Sequence, residues 1–371
     1  MNEPERPVAQ SAAAGKRAVP PPQVGRNTFG ARNRRAAPRV RLVDVAREAG
    51  LSKTTISAAL NGTGRMSDEA RAHARDTAWR MGYRPNVTAR LLRAGHTRLI
   101  GFAVREYIAE PWVYLELPYF TQLTNAGARA ALDHGHALVL LPNHAPREEW
   151  TDLPLDAVCV VDPMIDDPLV DHLLSAGTPV VTDRRVEGRR GGYWVETDYH
   201  TAVREVLDHL AEQGARDIAL VAAGSDTLYT RNALLAQADW SMRRGIRTRV
   251  ETATAPGHAP TLEVVGRLLG DAGDRPDAMI VLTEVSPLLV LDAARRLGCR
   301  VPDDLLVVCA SEDSVAEHTD PAVTTLSMQP ALIAEAGIHL LVEVLDLGIT
   351  ESRGVEVPTR LDIRASSLRT R

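Results

Sequence analysis

RLVDVAREAGLSKTTISAALNGTGRMSDEARAHARDTAWRMG, residues 41–82, holds three short amphipathic segments, each followed by a stop signal. In the first, Leu42, Val45, Ala46 and Ala49 recur at helical spacing, and Gly50 ends the run. The second opens on Ser52, a good N-cap, and carries Ile56, Ala59 and Leu60 as its apolar stripe. The third follows Ser67, has Asp68 and Glu69 where the helix dipole favours acids, lines its inner face with Ala70, Ala74, Ala78 and Met81, and stops at Gly82. Ala46, Gly50 and Ile56 stand four and six residues apart. A small residue at the crossing, a glycine for the turn and a buried plug on the second helix make a helix-turn-helix, whose second helix suits a DNA major groove. Three unrelated helices that merely pack together would fit the same spacing.

Charge points the same way. The chain of 371 residues has a net charge of -5, but residues 1–95 hold 18 Lys+Arg against 7 Asp+Glu, a net of +11. The remaining 276 residues hold 25 against 41, a net of -16. A basic front on an acidic body favours a polyanionic partner for the front, although a solvated basic tail would give the same sum. Residues 1–38, rich in Pro, Ala and Arg, have no apolar period and read as a disordered arm whose Arg32, Arg34, Arg35 and Arg39 could touch phosphates.

From Leu99 the texture changes. The apolar runs LIGFAV, HALVLL, AVCVV, TPVVT, DIALVAA, AMIVL and LLVVCA look like buried parallel strands. Between them helices are predicted at Phe120–Leu132, Pro168–Ala176, Ala202–Gln213, Leu234–Arg244, Thr261–Leu269, Pro287–Leu297 and Leu332–Leu347. Such alternation means an α/β doubly wound, parallel-sheet body, and its length suits two similar halves better than one sheet.

The chain resembles the lactose-repressor/galactose-repressor (LacI/GalR) family of bacterial transcription regulators. The match rests on DVAREAG, TIS with LN, GYRPN, TAR and TRLIG at the front, then on LPYFTQL, GTPVVTDR, DPAVTTL and VPTRLDIRASS. The resemblance implies a helix-turn-helix head at 39–85, a hinge helix at 86–96 and a two-lobed, periplasmic-binding-protein-like body at 97–371. The first lobe would take about 97–196 and 327–355, and the second about 197–326 and 356–371. It also implies that Lys53, Thr54 and Ala58 face bases in the major groove, and that Thr55, Ser57, Asn61, Arg90 and Arg93 meet phosphates. Ala89 and Leu92 would enter the minor groove, with Leu92 as the wedge; an ordinary linker helix with Leu92 packed inside is the alternative. Ala58 stands where the family commonly has Arg, so the operator should differ at that base. The expected partners are a pseudo-palindromic double-stranded DNA operator and a second copy of the chain. Helices near 105–135 and 325–345 would form the dimer surface, with no leucine-heptad tail to build a tetramer.

The family also implies a small-molecule effector, a sugar or a relative, between the lobes, which would shift DNA affinity, the sense being repression. Arg105, Tyr107, Asp166, Arg184, Arg231, Glu284 and Glu312 are the polar groups expected to face that cleft. Here the chain departs from the family pattern. Ala233 takes the place of the clamping Arg, Thr283-Glu284 that of Asn-Asp, and Asp198-Tyr199 that of Asp-Asn. Cys309-Ala310-Ser311 replaces Gly-aromatic-Asp, and no stacking aromatic stands near 252–258. Two readings remain: an effector of altered chemistry, or a degenerate pocket that takes none.

Other classes fare worse. No GxGxxG after a strand, P-loop or GxSxG is present, so no catalytic residue is expected. The histidines show no metal spacing, and Cys159, Cys299 and Cys309 are too scattered for a zinc site or disulfide framework; neither metal nor cofactor is expected. No run reaches the roughly 18 apolar residues of a membrane span, and the start carries no secretory h-region. A cytoplasmic protein follows, whereas a solute receptor would need an export signal and no basic front.

Overall fold

The computed structural model describes residues 40–83, 96–105, 116–141, 153–164, 166–186, 192–224, 227–255 and 257–369. The chain divides into two units near residue 90.

The first unit is built as its sequence spacing dictates. Helix α1 spans Leu42–Glu48, α2 Lys53–Asn61 and α3 Asp68–Arg80. Val45, Ala46, Ala49, Ile56, Ala59, Ala74 and Ala78 are buried together, with Leu42, Leu51, Leu60, Met66, Met81 and Tyr83 packed around them. Most of this core is alanine, so the helices can approach closely, and Ile56, fully buried, is its largest plug. Gly50 takes φ 61°, the left-handed conformation in which a side chain is disfavoured, and the Leu51 N–H then closes on the Ala46 carbonyl at 3.0 Å. Ser52 and Ser67 cap the next two helices, accepting from the N–H groups of Thr55 at 3.0 Å and Ala70 at 3.2 Å.

The second unit contains two six-stranded sheets. The first sheet uses β1 (Leu99–Val104), β2 (Ala137–Leu140), β3 (Ala157–Val161), β4 (Val180–Thr182), β5 (Tyr193–Glu196) and a late strand, β11 (Arg353–Glu356). Its order is β11-β5-β4-β3-β1-β2, and every pairing is parallel. The second uses β6 (Asp217–Ala223), β7 (Arg247–Ala253), β8 (Ala278–Val281), β9 (Leu306–Ala310), β10 (Thr324–Ser327) and β12 (Arg360–Asp362), in the order β12-β10-β9-β8-β6-β7. Only the β10–β12 pairing is antiparallel, because β12 folds back beside β10 as the closing strand.

Helices α4 (Pro118–Asp133), α5 (Pro168–Ser175) and α10 (Pro330–Leu347) are interspersed with the strands of the first sheet. Helices α6 (Tyr199–Glu212), α7 (Leu228–Arg244), α8 (His258–Gly270) and α9 (Pro287–Arg296) do the same for the second. The central strands β3, β8 and β9 are buried along their whole length, which explains their uninterrupted apolar sequences. Each sheet has a core on both faces. For the first, Phe102, Phe120, Leu123 and Leu341 lie on one side and Val158, Val160, Leu169 and Leu173 on the other.

The chain crosses between sheets three times, after β5, β10 and β11. These crossings are stitched together: Gln329, at φ 53°, donates from its side chain to the Pro358 carbonyl at 2.8 Å, and the Val357 N–H donates to the Glu196 carbonyl at 2.8 Å. The cysteines are buried and free, and burial pushes the thiols of Cys159 and Cys309 up to about 12, so neither forms a ready nucleophile.

Candidate functional site

On the head, α2 offers an outward edge. Lys53 and Thr54 are exposed at its start, Thr55, Ser57 and Ala58 are half-buried, and Asn61 is exposed at its end. Ile56 and Ala59 turn inward, so the outward residues occur at helical spacing on the opposite side. The Thr55 and Ser52 hydroxyls lie 2.7 Å apart, and the Asn61 amide donates to Ser57 Oγ at 3.4 Å. A hydroxyl that receives one bond can still donate to a phosphate oxygen. Ala58 is half-buried, and Gly64, at φ 80°, lies so close that an added Cβ there would come within 3.2 Å of the Ala58 methyl. The hinge residues Ala89, Arg90, Leu92 and Arg93 lie outside the described residues, as does the arm.

In the body, a cavity of about 450 Å³ opens among the C-terminal ends of strands from both sheets. That is where a doubly wound fold holds a ligand, because loops there converge without blocking strands. Tyr119, Phe120, Asp162, Asp183 and Arg184 line it from the first sheet's elements, and Tyr199, Tyr229, Asn232, Thr283, Glu284, Ser311 and Glu312 from the second's.

Its polar centre is Arg184. The guanidinium is ion-paired to Asp162 and, at 3.3 Å, to Asp183, whose other oxygen accepts the Asp162 N–H at 2.9 Å. Burial works against the charge of Arg184, but the two aspartates more than offset it and raise its pKa. The same guanidinium sits 5.9 Å from the centre of the Tyr229 ring, which stacks on Tyr199 at 4.1 Å. An arginine of one sheet thus meets an aromatic pair of the other. Tyr229 donates to the Leu282 carbonyl at 3.1 Å, whereas the buried Tyr199 hydroxyl has no partner beyond Tyr229. The phenols of Tyr199 and Tyr119 are held well above their ordinary pKa, first by burial and then by Tyr229 for Tyr199 and by Asp183 and Asp162 for Tyr119. Glu312 accepts from Ser327 Oγ at 2.8 Å and from the Met328 N–H at 2.9 Å, so it braces the second crossing while lining the cavity. Burial raises its pKa despite those bonds.

Of the residues the sequence sent to the cleft, Arg184, Glu284 and Glu312 line the cavity. Three do not. Arg105 is buried in a 2.9 Å ion pair with Asp167, which also accepts the N–H groups of Met164 and Leu169, so its charge is spent holding the loop before α5. Asp166 is exposed on that loop, and Arg231 points outward from α7 while its neighbour Asn232 lines the cavity. Tyr107 lies outside the described residues. Ala233, where the family pattern has its clamping arginine, is fully buried in the second lobe's core. Sequence reasoning missed the aromatic wall of Tyr119, Tyr199 and Tyr229. The Tyr in Asp198-Tyr199 was a usable sign, since it follows the first crossing directly.

Family models match both units. One for bacterial regulatory proteins of the lacI family matches residues 41–86, and one for a periplasmic binding protein-like domain matches 207–367. The head therefore carries a lacI-family DNA-binding domain, and much of the body a periplasmic binding protein-like domain. Catabolite control protein A of Staphylococcus xylosus is 22% identical over 335 residues, covering 88% of this chain and 99% of that one. The HTH-type transcriptional regulator AscG of Escherichia coli (strain K12) is 24% identical over 316 residues, covering 83% and 92%. Among solved structures, a lac repressor dimer bound to operator and the anti-inducer ONPF superposes with a TM-score of 0.72 at 19% identity, covering 89% of this chain and 100% of that one. A complex of the transcriptional regulator CelR with cellobiose gives 0.64 at 24% identity, covering 88% and 100%. The chain thus joins a lacI-type DNA-binding head to a periplasmic-binding-protein-like body, the build of a DNA-binding transcriptional regulator. Among the described residues no helix is long and apolar enough to cross a membrane, and no three His, Cys, Asp or Glu side chains group as a metal site.

Proposed function

We propose that the protein binds a two-fold-symmetric operator as a homodimer and that a small molecule in the cavity between the sheets sets its DNA affinity. The observation that carries the reading is the pairing of a capped, alanine-seated α2 exposing Lys53 and Thr54 with a cavity walled by both lobes. Lys53 would reach guanine O6 and N7, Thr54 a base edge or thymine methyl, and Thr55, Ser57 and Asn61 the phosphates. Residues 86–96 would form the hinge, with Arg90 and Arg93 on phosphates and Ala89 and Leu92 in the minor groove. Helices α4 and α10 pack on each other, and exposed Leu132, Leu332 and Leu347 give them apolar surface for a second copy.

A ligand that binds one lobe arrangement better than another shifts the population toward it. The Arg184–Tyr229 contact and the bond from the Gln122 side chain to the Glu312 carbonyl, 3.0 Å, span the cavity and would register such a shift. The reading requires no catalytic group, metal or cofactor.

Competition binding on duplexes carrying a selected site tests it. Wild type binds with salt-dependent affinity, and Lys53→Ala weakens the specific site more than random duplex. Equal loss on both would remove α2 from base reading.

A further inference from the structure

The described cavity lining is richer in carboxylates than in guanidiniums. Asp162, Asp183, Glu196, Glu284 and Glu312 line it. Against these five carboxylates the described lining holds two guanidiniums, Arg184 and Arg185. Both are committed: Arg184 lies between Asp162 and Asp183, and Arg185 sits 5.0 Å over the Trp194 ring. The lining therefore carries three more negative than positive charges, in walls where charge is screened less than in open water.

A second feature points to a ligand independently. Tyr199 is 3% exposed and lines the cavity, and its hydroxyl has no partner beyond the stacked Tyr229. Leaving a phenol dry costs stability unless something arrives to bond it. Around it stand Tyr119 and Tyr229, and the Arg184 guanidinium over Tyr229 shows that this wall already accommodates a cation on an aromatic face. The carboxylates are spread around the cavity and not gathered as a metal cage, which favours an organic cation over a bare ion. Asn232, Thr283 and Ser311 add short polar groups suited to hydroxyls.

Building on the effector reading above, we propose that the cavity takes a small, hydroxylated molecule carrying a positive charge, an amino sugar being the simplest example. The ammonium would sit against the carboxylates and a tyrosine face, and a hydroxyl would bond Tyr199.

Calorimetry on the full-length protein tests this with D-glucosamine, D-glucose and D-glucuronic acid, and with the galactose-configured trio, at about pH 6.5 so that the amine is charged. The amino sugar of one trio is expected to bind at least about tenfold tighter than its neutral counterpart, with the acid weakest. A neutral or acidic sugar that binds as tightly, or amino sugars that fail to bind up to about 10 mM, overturns the proposal. Glu196→Gln sharpens the test, since Gln can still accept the Trp194 indole N–H, 3.1 Å away in the native protein, while removing one charge. It should cut the preference for the amino sugar about threefold or more, and an unchanged preference contradicts the charge argument. Operator binding without sugar is read in the same preparations. If it holds while every amino sugar fails, the ligand class is wrong and the DNA-binding reading stands.

Discussion

Lys53 and Ala58 divide the work of α2 unequally. Lys53 is exposed at the helix start, where a long cationic side chain can reach a guanine edge. Removing it should cost about 1–3 kcal/mol at the cognate site, seen as a rise in Kd of about fivefold to 150-fold by gel shift. Ala58 is a deletion of reach. Ala58→Arg should add a guanine preference at one position of each half-site, read by binding to a set of single-base variants, and an unchanged preference would place Ala58 away from the bases. In the body, Tyr199→Phe separates stability from binding. The buried hydroxyl has no partner beyond Tyr229, so removing it should leave the ligand-free protein no less stable, to within about 1 kcal/mol. The same change should shrink the thermal shift produced by a bound ligand. A lower melting temperature without ligand would mean that the hydroxyl is satisfied.

Elements whose sequences are dominated by one physical demand were legible. Every apolar run expected to be a strand is one, because a buried parallel strand must be apolar on both faces, as Ala157–Val161 is. All seven helices expected in the body are present, six of them within three residues at each end, while α7 begins six residues before the expected Leu234. Strands without a long apolar run escaped, β5 and β10 inside the sheets and β7 at an edge: β7, RTRVETA, is half-exposed and its arginines pair with Asp217 and Asp274, so its strand character lies in pairing and not in hydropathy. The cavity was half legible for a similar reason. A carboxylate after a strand is easy to place, but whether Arg105 faces a cleft or Asp167 depends on a contact 62 residues away. Gly224, just after β6, shows how tightly the cavity rim is drawn. Its N–H donates to the Ala253 carbonyl at 2.9 Å, and an added Cβ would lie 2.7 Å from that oxygen. Gly224→Ala should therefore destabilise the body by about 1–3 kcal/mol in denaturant melts, with a larger loss than Gly245→Ala would show from crowding alone. At Gly245 nothing lies within 4 Å of such a Cβ.

Across the whole molecule, the last residues are tied into the second lobe by a buried polar network. His209 Nε2 lies 2.7 Å from Ser367 Oγ, which lies 2.6 Å from Thr324 Oγ1, and Ser366 Oγ donates to the Val307 carbonyl at 2.7 Å. Burial lowers the His209 pKa, only partly opposed by its contact with Ser367 and by Glu212. In the unfolded chain it would titrate near the ordinary histidine value, about 6.5. Above that pH both states are neutral and nothing is lost. Below it the unfolded state takes up the proton first, so stability falls with pH. His209→Gln should flatten that acid-side slope in melts between about pH 7 and pH 5, and an unaltered slope would assign it to other groups.

Acting as proposed, the protein makes one demand on DNA: two copies of α2 presented by a two-fold dimer. Full-length protein offered a random duplex library at modest ionic strength, with bound DNA recovered and sequenced, reads that demand directly. It should return an inverted repeat with half-sites about one helical turn apart and a fixed centre. Recovery of no enriched sequence, or of a lone half-site with no symmetric mate, would contradict it.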